Sequence, residues 1–380
     1  MIYLDNAATT YPKSESVYQA LDEANRNYAF NAGRGSYAKA RIATEIIDTT
    51  KKQIKELVNA AVNSRVIFTP SITIALNQIL QGIDFCKGDN IYYSPYEHNA
   101  VARTLHLIKS RRDVNLLEMP INENTLEIDV ERLKYEFSVN PPRCVCCTHI
   151  SNVTGYVLPV AEIFECASRY DAITVLDTAQ SLGVEKIDMV KMKVSFLAFA
   201  GHKSLYGPLG IGGFVDSGHV KLEQVMVGGT GSNSLVLDMP SESPERYEFA
   251  SANIVAIAGL SQAIKEIDVN KLIEEEKLVK RLIDGLLQIE DTDLYVPNSG
   301  RHRNIVSFNL KNYKSEEIGI ILDDDFEIAV RTGYHCAPFI HRWLKDEKYL
   351  GTVRVGIGKF NTKEDIDALL EAIREISEER

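Results

Sequence analysis

The sequence predicts an α/β fold: a large domain on a mostly parallel sheet covered by helices, followed by a smaller C-terminal α/β domain. Three observations predict it. Short, almost wholly apolar strands alternate with amphipathic helical stretches along most of the chain, the pattern of a sheet buried on both faces. Polar residues capable of chemistry follow the ends of three successive strands at nearly equal intervals. After about residue 258 the alternation gives way to two long helices, then to strands and short helices closed by a terminal helix.

The elements follow in order. Val66 to Thr69 is a strand, and Pro70 opens a helix whose Ile72, Ala75, Leu76, Ile79 and Leu80 keep helical spacing. Strands follow at Asn90–Tyr93, Cys144–Ile150, Ile173–Leu176 and Phe196–Ala200, with helical segments such as Val160–Tyr170 between them. Asn253–Ile267 and Leu272–Ile289 are the long helices. Then come strand Ile305–Leu310, a short helix from Ser315, and strands Glu327–Arg331 and Thr352–Ile357. Thr362 caps the last helix with Asp365 as its capping-box partner, ahead of the stripe Ile366, Leu369, Leu370, Ile373 and Ile376. The division drawn is 15–257 for the large domain and 1–14 with 258–380 for the small one, which carries the loop around Cys336.

Composition excludes some functions. The 380 residues are 45% hydrophobic and 25% charged, with a net charge of −11. No nucleic-acid partner is expected; the short basic run Lys109 to Arg112 reads as a solvated helix face. No apolar run reaches membrane-spanning length, and the chain opens on MIYLDNAATT without a leader, so a cytoplasmic protein is expected. Its six cysteines follow no zinc pattern. Cys144, Cys146 and Cys147 lie in a buried strand and count as core. Cys336 stands apart, outside an evident core strand, in the turn-rich RTGYHCAP. His335, Cys336 and His341 lack a fourth partner at metal-ligand spacing, so no metal is expected. GPLGIGG leads into an apolar strand rather than a helix, which excludes a dinucleotide fingerprint.

The stretch FLAFAGHKSLYGPLGIGGF, Phe196 to Phe214, carries most of the chemistry. An apolar strand delivers Lys203 to the edge of a site, and a buried lysine is costly unless it is neutral or covalently engaged. Enzymes that hold pyridoxal phosphate as a Schiff base need such a lysine. In an open parallel sheet, ligands bind beyond the carboxyl ends of the strands. Those ends offer Asn152, Asp177 and Lys203, separated by 25 and 26 residues. An aspartate must keep the pyridinium nitrogen protonated, and Asp177 suits that task. Gln180 or Asn152 can donate near the ring oxygen. Ser71 and Thr73 open a helix fit for a phosphate, and His98 in SPYEHNA can cover a ring face.

With these residues in place, the chain resembles the fold-type-I pyridoxal-phosphate enzymes of aminotransferase class V, in the cysteine desulfurase and selenocysteine lyase branch. The resemblance runs through YLDNAATTYP, NAGRGSYAKA, FTPSITIALN, SPYEHNA, THISNVTGYVLPV, LDTAQSLG, AGHKSLYGPLGIGG, GGTGS, RTGYHCAP and VRVGIGKFNT. It implies that Lys203 bonds the cofactor, His98 stacks on it, Asp177 pairs with the ring nitrogen, and Gln180 and Asn152 contact the ring-oxygen side. It further implies that Thr73 and His202 bind the phosphate, and that Thr230 reaches the phosphate of a neighbouring subunit, hence a homodimer. Arg354 would bind the substrate carboxylate. Cys336 would accept sulfur from L-cysteine, with His98 as its proton partner, and pass it to a protein acceptor. The chain departs from the family at Ala200, where relatives carry Ser or Thr, at Ile72, in Glu248 to Asn253, and at Tyr334, where the short-loop group has a histidine. Three readings stay open: a cysteine desulfurase, a selenocysteine lyase or other class V enzyme indifferent to Cys336, and a non-catalytic sulfur-carrier scaffold.

Overall fold

The computed structural model describes residues 1–32, 37–231, 235–297 and 300–378. Residues 33–36 of the NAGRGSYAKA motif and the last residue of GGTGS lie outside the described residues.

Seven strands form the large sheet, in spatial order Arg65–Thr69, Gly212–Asp216, Phe196–Ala200, Ile173–Asp177, Cys144–Thr148, Asn90–Tyr93 and Asn115–Glu118. Gly212–Asp216 is antiparallel to both neighbours, and the other pairings are parallel. Alternate side chains enter two cores. Val145, Cys147, Leu176, Leu197 and Phe199 face one; Cys144, Cys146, Val175, Phe196 and Ala198 face the other. Each fully buried Val, Leu or Phe contributes roughly 1.5–3 kcal/mol, which is why these strands read as continuous apolar runs. The three strand cysteines are core, as predicted, and so is Cys166. Cys86 is exposed along with Cys336, so position outside the core does not by itself single out Cys336.

The register aligns the strand ends that matter. Gly212 sits opposite both Thr69 and Ala200, and Asp177 opposite Thr148 and Ala198. The helix Ile72–Gly82 starts above this row. Ser71, not Pro70, is its N-cap, accepting from the Ile74 N–H at 3.3 Å. A Cβ on Gly212 would stand 2.8 Å from the Ile72 nitrogen, so this glycine allows the helix start to lie close over the strand end.

The second sheet is antiparallel, in the order Thr292–Tyr295, Ile305–Leu310, Thr352–Gly356 and Arg331–Gly333. The amino-terminal strand Ile2–Tyr3 pairs parallel with Ile328–Ala329. Leu4 is buried with Val306, Phe308, Val353 and Ile366. The expected strand Glu327–Arg331 is therefore two strands, Ile328–Ala329 and Arg331–Gly333, with different partners. Both partners are remote in sequence, so local pattern could not show the break.

Helix ends move by a few residues. The predicted Leu272–Ile289 is Val269–Leu286, capped by Asp268, and Asn253 caps Ile254–Lys265. The Thr362 capping box forms: Asp365 N–H donates to Thr362 Oγ1 at 3.2 Å and Thr362 N–H to Asp365 Oδ2 at 3.0 Å. GPLGIGG runs into the strand Gly212–Asp216, and Lys109 to Arg112 end an exposed helix face. Among the described residues no helix is long and apolar enough to cross a membrane.

Candidate active site

The strand Phe196–Ala200 ends in Gly201, His202 and Lys203, and the amino-terminal segment clamps this turn. The His202 carbonyl accepts from Thr9 Oγ1 (3.1 Å), Thr10 N–H (3.1 Å), Thr10 Oγ1 (3.2 Å) and Lys13 Nζ (3.2 Å). Burial lowers the Lys203 pKa, the Asp177 charge opposes this, and Arg354 and Arg331 reinforce it. Asp177 is buried at the end of its own strand. Its Oδ1 accepts from the Ala179 N–H at 2.8 Å. Burial raises its pKa, while the Ala179 bond and Lys203 hold it down.

Three predicted residues serve as struts between segments. Gln180 Nε2 donates to the Ala7 carbonyl at 2.8 Å. Asn152 Nδ2 donates to the His335 carbonyl at 2.7 Å. His98 is the N-cap of the helix Asn99–Arg112, its Nδ1 accepting from the Ala100 N–H at 3.0 Å. Burial and the charges of Lys203 and Arg354 push the His98 ring down to about 4. The ring is thus neutral with its proton on Nε2, and its one lone pair is used by the helix. The sequence names this ring both as proton partner of Cys336 and as cover for the cofactor; in the fold its Nδ1 also caps a helix.

Arg354 enters from the second sheet, opposite Arg331. A buried guanidinium needs partners. Nη1 donates to the Asn152 carbonyl at 2.9 Å and Nη2 to Asp5 Oδ1 at 2.8 Å, while Nε is buried without a hydrogen-bond partner. Arg331 Nη1 lies 3.9 Å from the other Asp5 oxygen.

The Cys336 loop is held at each carbonyl. Tyr334 O accepts from His341 Nε2 at 3.0 Å and Ala337 N–H at 2.9 Å. His335 O accepts from Asn152, and Cys336 O from the Asn99 N–H at 2.7 Å. These bonds fix His335 and Cys336 in the left-handed region, at φ 46° and 56°, a conformation that costs roughly 1–3 kcal/mol per residue. The His335 ring contacts Thr352 Oγ1 at 2.9 Å, and His341 Nδ1 donates to the buried Asp346 at 2.6 Å. The glycines meet where the strand Thr352–Gly356 begins: a Cβ on Gly351, at φ +104°, would stand 2.3 Å from the Gly333 carbonyl carbon. Cys336 is exposed, and negative charge placed on its sulfur would favour the charged forms of both Lys203 and Arg354.

Ser71 uses its hydroxyl as the helix cap, while Thr73 is exposed in the first turn. Burial keeps the His202 ring neutral, at about 4, and its Nδ1 is buried without a partner. Thr230 is half-buried in the loop between Gly212–Asp216 and Ile254–Lys265. Among the described residues no cluster of three or more His, Cys, Asp or Glu could hold a metal.

Sequence reasoning missed Asp5, Glu97, and the pairing of His341 with Asp346. Asp5 had a signal, a carboxylate directly after the strand-like MIYL. Glu97 precedes His98, and its burial against Thr148 could not be read locally. His341 was weighed only as a metal ligand.

The site tests well against pyridoxal phosphate. It offers an amine with a lowered pKa, a buried carboxylate one strand away, a capped helix start, and the unpartnered His202 Nδ1 and Arg354 Nε. Sheet order and strand-end chemistry together define a fold-type-I transferase. Comparison with known proteins agrees. The sequence model of the family "Aminotransferase class-V" matches residues 2–369. A probable cysteine desulfurase of Pyrococcus abyssi is 31% identical, over 99% of this chain and 94% of its own. A probable cysteine desulfurase of Halalkalibacterium halodurans is 32% identical, over 100% and 93%. The apo structure of the cysteine desulfurase from Thermococcus onnurineus NA1 superposes with a TM-score of 0.89 at 29% identity, covering 99% of this chain and 94% of that one. The chain belongs to the aminotransferase class-V family, in its cysteine desulfurase group.

Proposed function

We propose that this protein is a pyridoxal-phosphate-dependent cysteine desulfurase. It takes sulfur from L-cysteine, releases L-alanine, and carries the sulfur as a persulfide on Cys336 for a protein acceptor. One observation carries the reading: an exposed cysteine on a pinned loop lies within electrostatic reach of both the lysine and the buried arginine of the site.

Pyridoxal phosphate, when bound, supplies an electron sink for charge at the substrate α-carbon. Lys203 would hold it and shuttle the α-proton on Nζ, a task its lowered pKa supports. Asp177 would pair with the ring nitrogen, and the His98 ring would cover one face. Gln180 and Asn152 would lie toward the ring oxygen. Ser71, Thr73, His202 and the first-turn N–H groups would hold the phosphate; Ala200 contributes no hydroxyl there. Arg354 would take the substrate carboxylate through its unpartnered Nε, with Asp5 and Asn152 fixing the guanidinium plane. The Cys336 thiolate would attack the substrate sulfur: an S–S bond forms, the C–S bond breaks, and the carbon released takes a proton.

The same reading makes residues 15–257 the cofactor-holding domain and 1–14 with 258–380 the domain that delivers Cys336. Burial of Leu4 in the carboxy-terminal core supports that division. Thr230 would complete the phosphate site of a neighbouring subunit in a homodimer. Free thiols at all six cysteines suit the reducing cytoplasm.

The test is Cys336→Ala. The variant keeps the cofactor spectrum and its spectral response to cysteine but makes neither persulfide nor alanine, while the parent exposed briefly to cysteine gains one sulfur on the Cys336 peptide by mass spectrometry. Full alanine release by the variant would refute the desulfurase reading. Running both proteins on selenocysteine separates a lyase indifferent to Cys336.

A further inference from the structure

A groove of about 530 Å³ opens beside the Cys336 loop. Its apolar wall is Tyr93, Leu116 and Phe339, with the Tyr93 and Phe339 rings 4.9 Å apart. Its other wall is the face of the helix Asn99–Arg112 that carries Arg103, His106 and Lys109. All three side chains are exposed, and none makes an ion pair or side-chain hydrogen bond among the described residues. No acidic residue lines the groove. Glu118, at the end of the strand that contributes Leu116, is taken up by Arg342 and by Trp343 Nε1. In a chain of net charge −11 this is a local basic exception. The groove is continuous with the reactive loop: Asn99 donates to the Cys336 carbonyl, and Pro338 and Phe339 follow Cys336 by two and three residues.

We propose that this groove docks the sulfur-accepting protein through an acidic segment that carries an apolar anchor beside the acceptor thiol. The inference rests on the persulfide reading of Cys336. An apolar slot takes an aromatic or aliphatic side chain, and the row of cations selects acidic flanks and steers their approach. Dispersed surface charges on the acidic remainder of the protein repel such a partner elsewhere, so attraction concentrates beside the thiol that must be reached.

The experiment uses the holoenzyme and short synthetic peptides with one phenylalanine and one cysteine, flanked by glutamates or by lysines, each with a serine counterpart that cannot accept sulfur. Binding of the serine peptides is read by fluorescence anisotropy, independent of turnover. Transfer from the cysteine-loaded enzyme to the cysteine peptides is read by mass spectrometry, with dithiothreitol as a neutral acceptor. The acidic peptide is expected to bind and accept sulfur faster than the lysine peptide by about tenfold or more, and the preference to shrink with added salt. His106→Glu with Lys109→Glu should erase that preference, changing peptide transfer far more than transfer to dithiothreitol. Equal binding of both serine peptides, or a preference untouched by the double variant, overturns the docking inference. A change of oligomeric state in the double variant also overturns it, because the groove is then an interface between copies. Absence of sulfur on Cys336 refutes the function reading instead, and leaves the binding result to judge the groove.

Discussion

Replacing Glu97 by glutamine should remove a large part of the protein's loss of stability as pH rises toward 8. The Glu97 carboxyl is buried; Oε1 accepts from the Thr148 N–H at 2.7 Å and from Ser94 Oγ at 2.5 Å, and Oε2 has no partner. Burial first, and then the Asp177 charge, raise its pKa from 4.5 to about 8. The sign follows from proton counts. Between those values the folded protein keeps a proton that the unfolded chain has lost, so stability falls as pH rises through the window. A gap of that width corresponds to at most about 5 kcal/mol. Glutamine keeps an acceptor for both hydrogen bonds and carries no charge. Burial also raises Glu275 to about 8, so its share persists in the variant. His98, His149, His202 and His302, each lowered by desolvation to about 4, favour folding as pH rises from about 4 to 6.5, and they cancel between parent and variant. The assay is urea unfolding of both holoenzymes from pH 5 to 9. The Glu97→Gln curve should fall distinctly less steeply, by up to half, between pH 6.5 and 8. Identical slopes would show that Glu97 is ionised in the folded protein and refute the argument.

Two further outcomes follow from the struts of the site. Asp346→Ala leaves the buried His341 Nδ1 without its partner, a loss of roughly 1–3 kcal/mol to be read as a lower unfolding midpoint; Asp346→Asn should recover part of it, and the rate of persulfide formation should fall in the same order because the ring that donates to Tyr334 O is no longer held in place. Arg354→Lys loses the fork that spans Asn152 and Asp5. Cofactor absorbance should persist while KM for cysteine rises by about tenfold or more, near 1.4 kcal/mol; an unchanged KM would remove Arg354 from substrate binding.

The sequence by itself determined that the large sheet is mostly parallel and placed most of its strands, because strands buried on both faces must be apolar throughout and the helices between them must carry stripes; the edge strand Asn115–Glu118 and the antiparallel run of Gly212–Asp216 came from the fold. Asn152, Asp177 and Lys203 were legible for the same reason: parallel strands joined by similar helical crossovers put their ends on one edge at regular intervals. Caps such as Thr362 with Asp365 were legible because their partners lie within a turn. Only the tertiary structure decided what crosses the chain. Asp5 meets Arg354 after 349 residues of separation, and Asn152 holds the His335 carbonyl across 183. The single strand expected at Glu327–Arg331 divides because the amino terminus supplies one partner and Thr352–Gly356 the other. That His98 also caps a helix was settled by the fold, which brings its Nδ1 to the Ala100 N–H. Local sequence encodes periodicity and backbone preference, whereas burial, charge and protonation depend on neighbours brought together only when the chain folds.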